Sequence, residues 1–254
     1  MTIGLVIVGS ELTTGKRRDK HMAHAIETLD RRGLDLGWCT VLADLPELLT
    51  RTLDHSMAAD DVVFCFGGIG ATPDDHTRQC AAEAARLPLV RHPGAVAAIE
   101  ARFGEAAYPN RVRMADLPKG AELIPNPING VPGFSLGDHH FLPGFPEMAW
   151  PMLDWVLETR YSALFRPGTR VEYLIDAAGA RESELLDLME RFVERFPAIA
   201  FSSLPRLREP SPGVELGIRG PPPELDDALT WLLEALKARG YSCPITRREG
   251  TGEV

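Results

Sequence analysis

Asp61-Val62-Val63-Phe64-Cys65-Phe66-Gly67-Gly68-Ile69-Gly70-Ala71-Thr72-Pro73-Asp74-Asp75-His76-Thr77 runs from an apolar stretch into a glycine-rich loop and then into a helical pattern. Residues 61–66 lack the polar alternation of a half-exposed strand, so both faces must be covered, as in a parallel sheet flanked by helices. Two similar runs precede it. Ile3–Val8 (IGLVIV) ends at Gly9-Ser10-Glu11, and Leu36–Leu42 (LGWCTVL) ends at Leu42-Ala43-Asp44. Between them, Met22, Ala25, Ile26 and Leu29 recur at helical spacing in a segment beginning at Lys16, which Gly33 is placed to end. Pro46 opens a second helix to about Met57, with Leu45, Leu48, Leu49, Thr52 and Leu53 as its apolar stripe. This alternation demands parallel pairing with right-handed crossovers. Such sheets bind ligands at the carboxyl ends of their strands, which places the ligand edge at Gly9–Glu11, Asp44 and Gly67–Gly70.

Further along, helices are expected from about Asp75 to Arg86 and from Pro93 to Phe103. A Pro/Gly/Asn-rich stretch, Pro118 to Gly137, leads into short strands near Gly133–Leu136 and His139–Leu142, and Phe145–Thr159 reads as a closing helix. Arg166-Pro167-Gly168 marks a boundary, dividing the chain into domains 1–165 and 166–254. In the second part Arg170–Ala177 reads as strand, Glu182–Arg195 as helix, Ala198–Leu204 and Val214–Arg219 as strands, and Glu224–Arg239 as helix. The order β-α-β-β-α suits a small ferredoxin-like α+β domain, with residues from Cys243 onward expected to fray.

The chain of 254 residues carries 27 basic and 36 acidic side chains, a net charge of −9. Binding to nucleic acid draws on a basic face, so nucleic acid is not expected as a partner, despite the local Lys16-Arg17-Arg18 and Arg247-Arg248. No apolar stretch approaches the ~20 residues a membrane span needs, and no basic segment precedes Ile3, so no membrane partner is expected. Cys39, Cys65, Cys80 and Cys243 show no CxxC spacing, and two lie in buried strands. Reduced, packed thiols in a soluble cytoplasmic protein are therefore expected.

The loop at 67–77 is the strongest chemical signal. Glycines let main-chain amides approach an anion, and a following helix start adds unpaired N–H groups. Thr72 and Thr77 can donate to phosphate oxygens. Asp74 and Asp75 make sense if a divalent cation bridges carboxylate and phosphate, or if one caps the helix. The loop is neither a Walker A nor a dinucleotide fingerprint. In the first loop Ser10 and Glu11 stand beside it, and Glu11 can share the cation, unless Ser10 or Thr14 caps the next helix. Asp44 ends the second strand. Asn126-Pro127-Ile128-Asn129 and Leu142-Pro143-Gly144-Phe145 can grip a flat heterocycle or serve as connecting loops. His21 and His24, one helical turn apart, can ligate a metal, but commonly face solvent and core instead. His139 and His140 alternate faces in a strand and do not share one ion. His76 is near enough to the loop to touch a ligand.

Ser10-Glu11-Leu12 with Gly15 and Asp19, Gly67–Thr77, and Leu142-Pro143-Gly144-Phe145-Pro146-Glu147-Met148 resemble the MoaB/Mog molybdopterin-binding domain over residues 1 to about 160. They are most similar to the competence/damage-inducible protein A branch, whose small linker domain residues 170–240, with Gly179 and Glu182-Ser183, resemble. The resemblance implies a three-layer α/β/α fold with a mostly parallel sheet. It implies a homo-oligomer that binds a pterin or nucleotide, molybdopterin among them. It also implies hydrolysis of a nucleotide pyrophosphate such as ADP-ribose or FAD, or adenylyl transfer to pterin, with Mg2+ or another divalent cation. Functional acids carry over to Asp75 and Asp44, and the anion loop to Gly67, Gly68 and Gly70. Ile69, Ala71 and His21 depart from the usual leucine, proline and asparagine. The amidohydrolase domain of longer members is absent before Val254, so no nicotinamide-nucleotide deamidation is expected.

Overall fold

Every position of β1 (Ile3–Val8) and every position but one of β2 (Trp38–Leu42) is covered or half-covered, and β3 (Val62–Phe66) is buried throughout. In the computed structural model, which describes residues 2–168, 171–206 and 213–249, both β2 and β3 pair in parallel with β1. The chain separates into two compact units, residues 1–29 with 35–164 and residues 30–34 with 165–254.

The first unit is built on a six-stranded sheet of order β2-β1-β3-β8-β7-β6, where β6 is Glu122–Ile124, β7 is Gly133–Leu136 and β8 is His139–Leu142. β3 and β8 are parallel, while β7 and β6 add antiparallel strands. Val6, Val8, Val63 and Cys65 point to one face. There they meet Leu49 and Leu53 of α3 (Pro46–Ala58), Cys80 and Ala81 of α4 (Thr77–Ala84), and Ala95 and Ile99 of α5 (Pro93–Phe103). Alternation sends Phe64 and Phe66 to the opposite face. On that side His21 of α2 (His21–Asp30) stacks on Phe66, and His24 stacks on Trp150 of α6 (Pro146–Arg160). A sheet between two helical layers follows from this covering of both faces.

Local chemistry shifts some expected boundaries. A single turn, α1 (Ser10–Thr13), follows β1, and α2 begins at His21 rather than Lys16. Asp19 sets that start by accepting hydrogen bonds from the His21 and Met22 amides at 2.9 and 3.0 Å. The buried face of α2 is His21, Ala25, Thr28 and Leu29, one position out of phase with the expected stripe, and Met22 and Ile26 are exposed. The aromatic partners Phe66 and Trp150 account for this, because they draw the histidines inward. Likewise Leu45 is exposed, whereas Leu49, Leu53 and Ser56 form the buried side of α3. α4 begins at Thr77, two residues later than expected, since 71–76 is committed to the turn. A two-stranded sheet, β4 (Leu89–Arg91) with β5 (Asp116–Pro118), has no apolar alternation to announce it.

The second unit has β9 (Val171–Ala178), α7 (Glu182–Arg195), β10 (Ala200–Arg206), β11 (Gly213–Gly220), α8 (Pro222–Ala238) and β12 (Ile245–Glu249). Its antiparallel sheet runs β10-β11-β9-β12. This is the βαββαβ ferredoxin-like pattern, in which the first and third strands are central. The expectation of fraying after Cys243 is therefore corrected for residues 245–249, which pair with Ile175–Val171. Arg170, the expected first residue of β9, and Gly250–Val254 lie outside the described residues. Among the described residues no helix is long and apolar enough to cross a membrane. All four cysteines are unpaired thiols, and burial raises that of Cys39 to about 11.

His139 and His140 do engage opposite faces. His139 Nε2 lies 2.9 Å from the Ser56 hydroxyl, which donates to the Leu53 carbonyl. His140 Nδ1 lies 2.8 Å from the Ser135 hydroxyl and Nε2 2.7 Å from the Tyr161 hydroxyl, which donates to Asp138. Both rings are satisfied as neutral imidazoles, and burial pushes them down to about 4 and about 3. Unfolding restores an ordinary value near 6.5, so the unfolded chain binds more protons below that pH. The stabilisation is complete above pH 6.5 and is lost as pH falls toward 4. Urea unfolding at pH 5 should therefore show a loss of about 4 kcal/mol from this pair relative to pH 7.5. An unchanged acid dependence in His139→Gln/His140→Gln would refute the assignment.

Candidate functional site

Gly67 (φ +101°) and Gly68 (φ +67°) turn the chain left-handed as it leaves β3. A Cβ at Gly67 would strike the Val8 carbonyl oxygen, one at Gly68 the Thr77 hydroxyl, and one at Gly70 the Asp75 carboxylate. At Gly67 and Gly68 glycine is demanded by φ as well as by close approach, and at Gly70 by close approach alone. Thr77 closes the loop from beneath. Its hydroxyl donates to the Gly67 carbonyl at 2.9 Å and its amide to the Gly68 carbonyl at 3.0 Å. Asp75 Oδ2 accepts from the Thr72 amide at 2.8 Å and the Thr72 hydroxyl at 2.5 Å. That hydroxyl also lies 2.5 Å from Asp74 Oδ1, and with one proton it serves one carboxylate at a time. The same contact holds the exposed Asp74 carboxyl below its ordinary range.

Arg78 braces the loop from the protein side. Its guanidinium is buried and donates to the Gly70 carbonyl at 2.7 Å, the Arg113 carbonyl at 2.5 Å and the Asp116 carbonyl at 3.1 Å. Burial depresses its pKa, while Asp116 and Asp75 act in the opposite direction. Sequence reading does not single out Arg78. Its one signal is a cation in the first turn of a helix, where the dipole disfavours positive charge.

The neighbouring strand ends contribute the other acids. Ser10 and Asp44 exchange hydrogen bonds, the Ser10 amide to Asp44 Oδ2 at 2.7 Å and the Asp44 amide to the Ser10 hydroxyl at 3.1 Å. The Glu11 carboxylate folds back over Gly9, its Oε2 lying 2.9 Å from where a Cβ would stand. These pieces surround a cavity of about 490 Å3. Glu11, Asp44 and Asp75 line it together with Gly67, Gly68, Gly70 and Thr72. Asn126 and Gly144 also line it, with the Asn126 side-chain oxygen accepting from the Ile128 and Asn129 amides at 3.0 and 3.4 Å. The wall further includes Val131, Met148 at the end of the Leu142–Met148 motif, and Phe103 and Met114, which no motif marks; together they form an apolar surface.

Three expected ligand contacts are corrected. Thr77 is fully buried with its hydroxyl spent on Gly67, so it shapes the loop rather than facing the cavity. Ser10 is off the cavity wall and acts through Asp44. His76 stands at the start of α4, also off the wall. His21 and His24 do not converge on an ion. His21 Nε2 contacts the Gly144 carbonyl at 3.1 Å, and His24 Nε2 the Thr28 hydroxyl at 3.2 Å. Among the described residues no three His, Cys, Asp or Glu side chains are grouped to hold a metal by themselves.

Arg78→Met should strand three carbonyl acceptors in the interior. The expected cost is about 2–3 kcal/mol, a fall in Tm of about 5–8 °C by thermal unfolding. Arg78→Lys should recover only part of it, because an ammonium cannot span the same fork of acceptors. A variant melting with the parent would show that the brace is dispensable.

Comparison with known proteins agrees with this fold. The probable molybdopterin binding domain family matches residues 4–163. A CinA-like protein of Gloeobacter violaceus is 35% identical over 132 residues, 51% of this chain and 31% of the relative. Another, from Anaeromyxobacter dehalogenans, is 30% identical over 258 residues, 98% of this chain and 59% of the relative. The chain thus spans less than two thirds of the length of these curated relatives. The crystal structure of the CinA protein from Thermoplasma acidophilum superposes with a TM-score of 0.57 at 25% identity, covering 62% of this chain and 98% of that one. A glycine loop after β3, acids at the adjoining strand ends and these matches together make the chain a member of the molybdopterin-binding domain family, in its CinA-like, MoaB/Mog-related branch.

Proposed function

We propose that the chain binds a phosphate- or pyrophosphate-bearing heterocycle in the main cavity and cleaves its phosphoanhydride with the help of a divalent cation. One observation carries this reading: Glu11, Asp44 and Asp75, from three strand ends, line the same cavity as the glycine loop. Carboxylates repel a phosphate at this range unless a cation lies between them. The donor set suits such an ion. Mg2+ is commonly held by one or two carboxylates with substrate phosphates and water completing its shell, so no cluster of three protein ligands is required. Bound there, it would neutralise charge developing on the transferred phosphoryl group.

The chain's own residues have distinct tasks in this scheme. The Gly67 amide is spent on the Leu142 carbonyl, so the main-chain amides of 68–70 receive a phosphate, while the Arg78 brace fixes Gly70 so that the loop does not reorganise on binding. Ser10 holds Asp44, and Thr72 holds Asp75, each leaving carboxylate capacity for a cation or an attacking water. Phe103, Met114, Val131 and Met148 offer apolar contact to the heterocycle. ADP-ribose and FAD are the first nucleotides to test, and molybdopterin is the pterin to test. A specific observation favours a second reading, a pterin- or nucleotide-binding module without turnover. Asp75 Oδ2 is already doubly engaged by Thr72, as a turn-stabilising residue would be.

Asp75→Asn separates these readings, because the amide oxygen can still accept from Thr72 while the charge is lost. With Mg2+ or Co2+ and ADP-ribose or FAD, the parent should release monophosphates by mass spectrometry. The variant should lose at least 100-fold, about 3 kcal/mol of barrier, with unchanged circular dichroism. Equal turnover by the variant would remove Asp75 from the reaction. Adenylylated pterin as the product would mean transfer, and ligand recovered intact would mean binding alone.

A further inference from the structure

A second cavity of about 370 Å3 adjoins the first and shares with it the wall residues Val8, Glu11, Arg17, Gly144 and Phe145. Arg17, Arg18 and Lys20 all line it. In a chain of net charge −9, such a concentration of cations calls for an explanation. All three side chains are exposed, and none is ion-paired among the described residues. Their segment is nevertheless anchored at both ends. The Arg17 amide donates to the Glu11 carbonyl at 3.0 Å, and Asp19 caps α2 through the His21 and Met22 amides.

Three carboxylates, Glu11, Asp19 and Glu147, share this wall, and none is ion-paired with the cations. Asp19 is committed to those two amides, Glu11 folds over Gly9, and Glu147 lies in the first turn of α6, where the helix dipole favours its charge. His21 also lines this cavity. It is 5% exposed and stacked on Phe66, and with Nε2 directed to the Gly144 carbonyl its Nδ1 has no hydrogen-bond partner. Phe145, 57% exposed, stands at the wall common to both cavities.

We propose that Arg17, Arg18 and Lys20 form a second phosphate-binding subsite, which takes the outer phosphate of a ligand whose first phosphate lies on the glycine loop. The assignment rests on the reading of the main cavity given above and adds a residue-level determinant of ligand length. Unpaired guanidinium and ammonium groups on a short anchored segment can close on a phosphate at little cost in lost contacts. Arg17 is the link, because it borders both cavities.

Titration calorimetry in Mg2+ with AMP and with the uncleavable α,β-methylene analogue of ADP (hereafter ADP), so that the cavity carboxylates are screened and neither probe is consumed, tests the subsite. The parent should bind ADP at least tenfold more tightly than AMP. Arg18→Gln/Lys20→Gln leaves Arg17 and the main cavity intact. It should weaken ADP about tenfold and change AMP less than twofold, and the ADP preference of the parent should shrink as salt is raised. Lys119→Gln, an exposed cation of the same unit, should alter neither. Equal losses for AMP and ADP would reduce the effect to diffuse charge, and an unchanged ADP affinity would make the segment an ordinary solvated loop. Either result overturns the subsite while leaving the main cavity standing. A parent that binds neither nucleotide would overturn both.

Discussion

The site depends on how closely β3 passes β1 at their carboxyl ends. Gly67 can lie against the Val8 carbonyl only because it has no side chain, and its positive φ then carries the loop across the mouth of the sheet. Any larger residue would push the loop away from β1 and separate it from Glu11 and Asp44. Parallel pairing supplies the rest of the constraint. With β2 and β3 on either side of β1, the chain leaves the central strand first in one direction and then in the other, and a crevice opens where the direction changes.

Around that crevice, most polar side chains act on the backbone rather than on solvent. Thr77 and Arg78 hold carbonyls of the glycine loop, Ser10 holds the Asp44 turn, and Asp19 holds the start of α2. The result is a rim in which amides and carboxylates keep their positions before a ligand arrives. Preorganisation of this kind is what electrostatic stabilisation of a phosphoryl group requires. The aromatic histidine pairs on the opposite face of the sheet serve a different end. They anchor α2 and α6 through ring stacking, which leaves the basic segment ahead of α2 at the edge of the second cavity.

Membership of the molybdopterin-binding domain family accounts for the architecture of the first unit. The second unit has a core of its own, with Ile175, Leu188, Phe192, Leu216, Ile218 and Leu232 buried between α7, α8 and the antiparallel sheet. Its fourth strand, Ile245–Glu249, completes the ferredoxin-like order by hydrogen bonding to β9, a stabilisation invisible in a segment whose composition is largely charged.

Local periodicity and glycine content were enough to read the parallel sheet, the ligand edge and the acids Glu11, Asp44 and Asp75, because each is encoded within a few consecutive residues. Cooperation between distant segments was not legible in the same way. Whether a threonine faces a ligand or a carbonyl is decided by what packs around it, so Thr77 and Thr72, five residues apart in one motif, have different roles. Arg78 gained its role from carbonyls at residues 70, 113 and 116, and Phe103 and Met114 reached the cavity only through the folding of the connection between sheets. The phase of α2 was likewise settled by Phe66 and Trp150, which are remote in sequence. The chain by itself determined where the glycine loop and the strand-end acids lie; the tertiary structure decided which side chains meet around the cavity, since burial and hydrogen-bond partners depend on surfaces brought together from separate parts of the chain.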